Sequence, residues 1–354
     1  MAVYTTIDDP EAYFQTAIYT GNASNRDITL DGENDMQPAI VWIKERGAVE
    51  GHKLFDAVRG ATKLLQPSAT NFEQTQATSM TAFNSDGFSL GTDSGEIVNE
   101  NSITHVAWCW KAGTTSGITT NGSTTITPDG YSFDQTAGIS ILLFDGNGTA
   151  GAKLAHGLGK TPEFWQIKRQ DEGAESWTGY DAGLGNTRFT GWNGTGNPGT
   201  ATNRWNDTDP DSVNLTLGSE GSVNSSGNPL MCYAWTSIQG FSRVAGSYIG
   251  NGNADGTFVY TGFKPAWLRT KKISGADPWH MYDNKRDVDN PIQQKLVGGT
   301  GAESTETAEV DFCANGFKVR TTNTDFNEAG ETYTFMAFAE APFVNSNGVP
   351  CNAR

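Results

Sequence analysis

Tyr19-Thr-Gly-Asn22, Phe144-Asp-Gly-Asn147 and Tyr248-Ile-Gly-Asn251 decide how this chain is read. Each runs an aromatic strand residue into a Gly-Asn pair, the composition that tight turns favour. A tryptophan follows the aromatic residue by 23, 21 and 19 positions, at Trp42, Trp165 and Trp267. All three lie in Pro-containing segments that lead into basic residues: Gln37-Pro-Ala-Ile-Val-Trp-Ile-Lys44, Thr161-Pro-Glu-Phe-Trp-Gln-Ile-Lys168 and Lys264-Pro-Ala-Trp-Leu-Arg-Thr-Lys271. An aromatic–Asp pair comes next, as Phe55-Asp56, Tyr180-Asp181 and Tyr282-Asp283. The series continues with Gly87-Phe-Ser-Leu-Gly91, Asn214-Leu-Thr-Leu-Gly218 and Gly316-Phe-Lys-Val319. It closes on Val106-Ala-Trp-Cys-Trp110, Met231-Cys-Tyr-Ala-Trp235 and Phe335-Met-Ala-Phe338. From the tryptophan to the last aromatic residue is 68, 70 and 71 positions. Anchors in one order at near-constant spacing predict an internal triplication of a unit of roughly 95 residues. Trp42, Trp165 and Trp267, with Trp110, Trp235 and Phe338, are its expected repeat-equivalent core anchors.

Within a unit, apolar runs of four to six residues are bounded by Gly, Asn and Asp, the pattern of short strands joined by hairpins. Of the 354 residues 42 are glycine, about 12% against a usual ~7%. The fold class is therefore all-β: three tandem β-sandwich, jelly-roll-like modules. Their expected bounds are 1–113, with an N-terminal arm, then 138–238 and 247–344. A linker at 114–137, a short link at 239–246 and a tail at 345–354 complete the chain. Short helices are expected over 56–65 and around 290–297.

Composition excludes several functions. With 24 Lys+Arg against 40 Asp+Glu the net charge is −16, the wrong sign for neutralising phosphates, so no nucleic-acid partner is expected. No apolar run approaches the ~20 residues of a membrane helix, and the N-terminus has neither part of a secretory signal. The four cysteines form no C-x-x-C pair. Cys109 and Cys232, inside aromatic strands, read as buried thiols made in a reducing cytoplasm.

Candidate chemistry is sparse. His52, His105, His156 and His280 belong to no hydrolase or metal motif and read as satisfied core or surface histidines. Asp56 with Arg59, and Asp283 with Arg286, share an Asp-x-x-Arg spacing that reads as a local salt bridge; the middle unit has Leu184 at the Arg position. The acidic loops 206–211 and 283–290 carry oxygen ligands that could hold Ca²⁺, but neither follows an EF-hand. No metal, cofactor or catalytic residue is expected. Lys271-Lys272 reads as a solvated strand end. Trp177, Trp192, Trp205 and Trp279 lie in Gly- and Asn-rich surroundings, where an exposed ring could stack on a glycan or contact a host surface, or join one module or subunit to another.

Several strings carry a resemblance over essentially the whole chain. They are Thr5-Thr-Ile-Asp-Asp-Pro-Glu-Ala-Tyr-Phe14, Leu54-Phe-Asp-Ala-Val-Arg-Gly60, Phe83-Asn-Ser-Asp-Gly-Phe88, Ala107-Trp-Cys-Trp-Lys-Ala-Gly113 and Ala337-Phe-Ala-Glu-Ala-Pro-Phe343. Together with the Tyr-Thr-Gly-Asn and Val-Trp-Ile-Lys segments, the chain resembles a repeat family of marine bacteriophage virion or tail-fibre-like proteins. The resemblance implies a non-enzymatic virion protein, made in the host bacterial cytoplasm, in an external appendage such as a tail fibre or receptor-binding component. Stacked β modules are expected to form a protease-resistant rod, and a symmetric oligomer, a trimer favoured, would multiply weak contacts. The expected partners are other virion proteins, copies of the chain and a host surface glycan or protein. A capsid decoration or vertex protein is the structural alternative. A polysaccharide depolymerase is the enzymatic one, with Asp56, Asp181 and Asp283 the first carboxylates to inspect.

Overall fold

The Gly-Asn stretches are turns in which a side chain has no room. In a computed structural model, which describes residues 4–95, 97–171 and 174–351, a Cβ on Gly21 would lie 2.1 Å from the Glu100 carbonyl oxygen. At Gly146 and Gly250 it would lie 2.3 Å from the carbonyls of Ser225 and Glu328. The crossing strand is held there by a buried asparagine. Asn99, Asn224 and Asn327 accept from the backbone N–H of Asn22, Asn147 and Asn251 at 3.0, 2.8 and 2.9 Å. Each amide nitrogen donates to two backbone carbonyls: Ser24 and Gly91, Thr149 and Gly218, Asn253 and Thr321. A fully satisfied buried amide thus ties three loops together, once per unit.

The chain is nearly all β, its helices single turns, and among the described residues the pairings between strands are antiparallel, with two isolated parallel bridges. One strand order recurs three times: a lead strand, a closing strand, a strand ending near a lysine, and a strand ending in aspartate. In the first unit these are Phe14–Thr20, Thr104–Trp110, Ile40–Glu45 and Lys53–Asp56. In the second they are Ile139–Asp145, Pro229–Trp235, Phe164–Arg169 and Thr178–Asp181. In the third they are Ser242–Ile249, Thr332–Pro342, Phe263–Lys272 and His280–Asp283, which continue into one eight-stranded sheet. A smaller sheet covers the outer face, as Arg26–Ile28 with Gly87–Leu90, and Ala152–Ala155 with Asn214–Leu217.

The expected boundaries need correction. Residues 114–137 are more than a linker, because Gly130–Asp134 pairs with Ile139–Asp145 as a strand of the second unit. The short link likewise ends early, with Ser242 already opposite Phe338. No helix forms over 56–65: Asp56 Oδ1 accepts from the N–H of Val58 and Arg59, and this turn competes with helix. Around 290–297 the chain is the strand Ile292–Val297. In the tail, Ser346 N–H reaches Asp8 at 2.6 Å.

Register also corrects the anchors. Ile40, Phe164 and Trp267 stand opposite Asp56, Asp181 and Asp283. Counted from there, Trp42 is two residues on, Trp165 one, and Trp267 none. A one-residue offset turns a strand side chain to the other face, so Trp165 packs in the second unit's outer core while Trp42 and Trp267 face inward. Trp110, Trp235 and Phe338 do share one position, opposite Ile40, Phe164 and Trp267.

The units are not strung along a rod. A single large core takes Trp42, Trp108 and Trp110 from the first, Trp177, Trp192, Tyr233 and Trp235 from the second, and Trp267, Trp279 and Phe338 from the third. The first and second units each keep a separate outer core.

Candidate functional site

Several of the candidate side chains meet at the seams between units. Four residues before the aspartate stand His52, Trp177 and Trp279. Each ring nitrogen bonds a backbone carbonyl of the neighbouring unit: His52 Nε2 to Val297 at 2.8 Å, Trp177 Nε1 to Gln66 at 2.9 Å, Trp279 Nε1 to Gly191 at 3.0 Å. The three acceptors are equivalent, since they follow Leu296, Leu65 and Thr190, the partners of Met281, Leu54 and Gly179. The first unit thus bonds the third, the second the first, and the third the second. The ring is closed.

The aspartates repeat this cycle. Tyr233 Oη donates to Asp56 Oδ2 at 2.6 Å, Trp108 Nε1 to Asp283 Oδ2 at 3.1 Å, and Thr334 Oγ1 to Asp181 Oδ2 at 2.6 Å. The Asp-x-x-Arg pairs are salt bridges, Arg59–Asp56 at 2.5 Å and Arg286–Asp283 at 2.6 Å, each Arg also bonding the Leu54 or Met281 carbonyl. Leu184 supplies no cation to Asp181, and burial raises that carboxyl to about 6 against the hydrogen bonds of Thr334 and Gly183.

Four residues beyond Ile40, Phe164 and Trp267 lie Lys44, Lys168 and Lys271, all buried. Their ammonium groups meet carbonyls: Glu45 and Ala48 for Lys44, Thr70 and Glu175 for Lys168, Thr195 and Asp277 for Lys271. Thr70 and Thr195 belong to the adjoining unit. Desolvation pulls each of the three down to about 8. Lys271 is therefore no solvated strand end.

The glycan-contact assignment of Trp177, Trp192, Trp205 and Trp279 fails on burial, with 2, 3, 0 and 1% exposure. Trp192 is wedged 4.8 Å from both Trp42 and Trp177. Trp205 lies edge-on to Trp165 in the outer core and donates to the Arg188 carbonyl. Gly and Asn around a ring signal a turn, and here most of those turns are pressed into a seam.

All four histidines are buried and neutral. Trp42 Nε1 donates to His52 Nδ1, which leaves Nε2–H for Val297. Burial lowers His52 and His280 to about 3, and His105 and His156 to about 4. Among the described residues no three His, Cys, Asp or Glu are placed to hold a metal. The acidic loops serve their own turns, Asp211 accepting from Val213 and Asn214, and Asp287 from Gln293 and Gln294. A cleft of about 750 Å³ opens on the third unit between Lys264, Asp287, Asp289, Asp311 and Glu340. No helix is long and apolar enough to cross a membrane among the described residues.

Sequence reading passed over two sets of residues. Asn99, Asn224 and Asn327 each stand five residues before the closing strand, a spacing open to inspection. Arg269 carries no such signal. It is fully buried, its guanidinium carbon 4.1 Å from the Trp279 ring centre, 5.1 Å from Trp42 and 5.4 Å from Trp192. Cation–π contacts contribute about 0.5–2 kcal/mol each, against several kcal/mol for burying an unpaired ion.

Over residues 9–342 the chain matches the family described as "Domain of unknown function (DUF7483)", and it belongs to that family. Comparison with curated proteins and with solved structures returned no match.

Proposed function

We propose that this chain is a structural component of a bacteriophage particle, part of an external appendage with a tail-fibre or receptor-binding role. The resemblance of its strings to phage repeat proteins motivates the reading. One observation carries it further: Asp56, Asp181 and Asp283, with His52, Trp177, Trp279, Lys168 and Lys271, are engaged in closing three β units on one another. Asp56, Asp181 and Asp283, the carboxylates a depolymerase would use, are sealed and bonded across seams. We read the recurring strand order as the product of internal triplication. The partners in this reading are other virion proteins, further copies of the chain and a host surface glycan or protein. With the four tryptophans buried, the surfaces open to contact among the described residues include the third unit's cleft and the exposed Phe72, Phe258 and Tyr260.

The cyclic arrangement favours a second reading, a capsid decoration protein, because three similar units in one chain can seat on a threefold position of a larger shell. Imaging an intact particle with the chain labelled tests both. Density on the tail is expected; density on capsid faces would replace the first reading with the second, and absence from the particle would sink both. Host polysaccharide left unshortened by the protein is the expected result for a non-enzymatic role.

A further inference from the structure

We infer that the shared core holds a small monovalent anion of halide size, bound to the guanidinium of Arg269 between Trp42, Trp192 and Trp279. Arg269 lies two residues beyond Trp267, on the inward face of its strand. Among the described residues its Nε and Nη2 meet no hydrogen-bond acceptor and no carboxylate pairs with it. Every other buried arginine at these seams is answered: Arg59 by Asp56 and Glu73, Arg286 by Asp283 and Glu303. A guanidinium stays protonated at any ordinary pH, so its charge cannot be removed by titration. The faces of three indoles offset only part of the cost of burying that charge.

Other donors in the same core lack acceptors. Trp192, whose ring is one wall of the cage, has an unpartnered Nε1–H. Gln166 occupies in the second unit the register position Arg269 occupies in the third, is fully buried, and has neither amide atom partnered. Guanidinium, indole and amide N–H groups are donors only, apart from the one Gln oxygen. These unpartnered groups are mostly donors and include one uncompensated cation, a combination that an anion complements. Arg269 is 1% exposed and flanked by three indole rings, which admits only a small ion, and a single positive charge restricts it to one negative charge.

Crystals of the full chain grown in sodium bromide should show an anomalous peak within hydrogen-bonding distance of the Arg269 guanidinium. In solution, thermal midpoints should rise with chloride or bromide at constant ionic strength made up with gluconate. The expected rise is about 3–5 °C for a hundredfold increase above the dissociation constant. Arg269→Met should abolish this halide dependence. Should that variant not fold, Trp192→Phe keeps the wall, removes its donor, and should weaken the dependence by about tenfold in halide concentration. Bromide found only on the surface, only water at Arg269, or a midpoint indifferent to halide would each overturn the inference.

Discussion

Replacing Asn224 by alanine tests whether one buried amide organises a unit. Its Oδ1 accepts from Asn147 N–H at 2.8 Å and Gly148 N–H at 3.3 Å, and its Nδ2 donates to the carbonyls of Gly218 at 2.8 Å and Thr149 at 3.0 Å. The Gly218 bond is wholly buried, and stranding its carbonyl costs about 1–3 kcal/mol. The Asn147 amide contributes a similar amount, while water can reach the part-buried remainder. The expected loss is about 3–5 kcal/mol, read as a shift in urea midpoint by tryptophan fluorescence with unchanged slope. Asn224→Asp sharpens the test, because it retains the acceptor but sets an oxygen against two carbonyls. It should be worse than alanine at pH 8, with the gap narrowing as pH falls toward 6, where a protonated carboxyl can donate. Equivalent substitutions at Asn99 and Asn327 should cost about the same. A loss under about 0.5 kcal/mol, or an aspartate variant that matches wild type at pH 7, would refute the reasoning.

The histidines make the fold acid-labile. Their folded pKa values lie below the unfolded 6.5, so the unfolded chain binds more protons and stability falls as pH drops below about 6.5. Each contributes a loss of about 2 kcal/mol by pH 5, measurable as urea midpoints from pH 7.5 to 5; a flat profile would contradict it. Asp181 acts with the opposite sign, its raised pKa penalising the fold increasingly as pH rises from about 4 and fully above about 6. Asp181→Asn should therefore stabilise by about 1–3 kcal/mol at pH 8 and by progressively less as pH falls below about 6. The second unit expressed alone, residues 126–238, should fail to give a dispersed NMR spectrum. Its five inward aromatics, Phe164, Trp177, Trp192, Tyr233 and Trp235, represent about 20 kcal/mol of gross burial, more than the ~5–15 kcal/mol of a whole domain. Glu303→Gln should produce concentration-dependent oligomers by light scattering, and a strictly monomeric variant would argue against its closing role.

The all-β class and the order of strands were legible because strand-and-turn chemistry is local: Gly-Asn turns and short apolar runs declare themselves within a few residues. Sequence spacing could not resolve which face a strand residue takes, because a face is decided by single-residue register, and Trp165 differs from Trp42 and Trp267 by that alone. Nor could it see that the units share a core, since an inward strand face reads the same whether a second sheet or a second unit covers it. The polar neighbours of Trp177, Trp192 and Trp279 describe the backbone of a turn, whereas their burial depends on what arrives from another unit; Trp205 is covered within its own unit by Trp165 and Tyr180. Buried lysines bonded only to carbonyls leave no composition signature at all.

The distribution of ion pairs explains how a ring of similar units closes in one order. The first and second units, and the second and third, are joined by the chain, so their seams meet at high effective concentration. The third-to-first seam has no such tether and must be specified by contacts alone. Both inter-unit ion pairs found among the described residues lie there: Arg46–Glu303, at 2.6 Å and two-pronged, and Lys285–Asp31 at 3.0 Å. Glu303 also receives Arg286, the partner of Asp283, so the closing contact is wired to the aspartate that Trp108 of the first unit bonds. The exposed Lys285 pair contributes little. The Arg46 pair, with its glutamate only 9% exposed, is costly to break on one side. The N-terminal arm adds Tyr4 to the Gly262 carbonyl and Thr5 to that of Gln239. Nearly equivalent units could otherwise close on a neighbouring chain, as swapped domains do. A charge pattern unique to the untethered seam favours closure of the first unit on the third of the same chain.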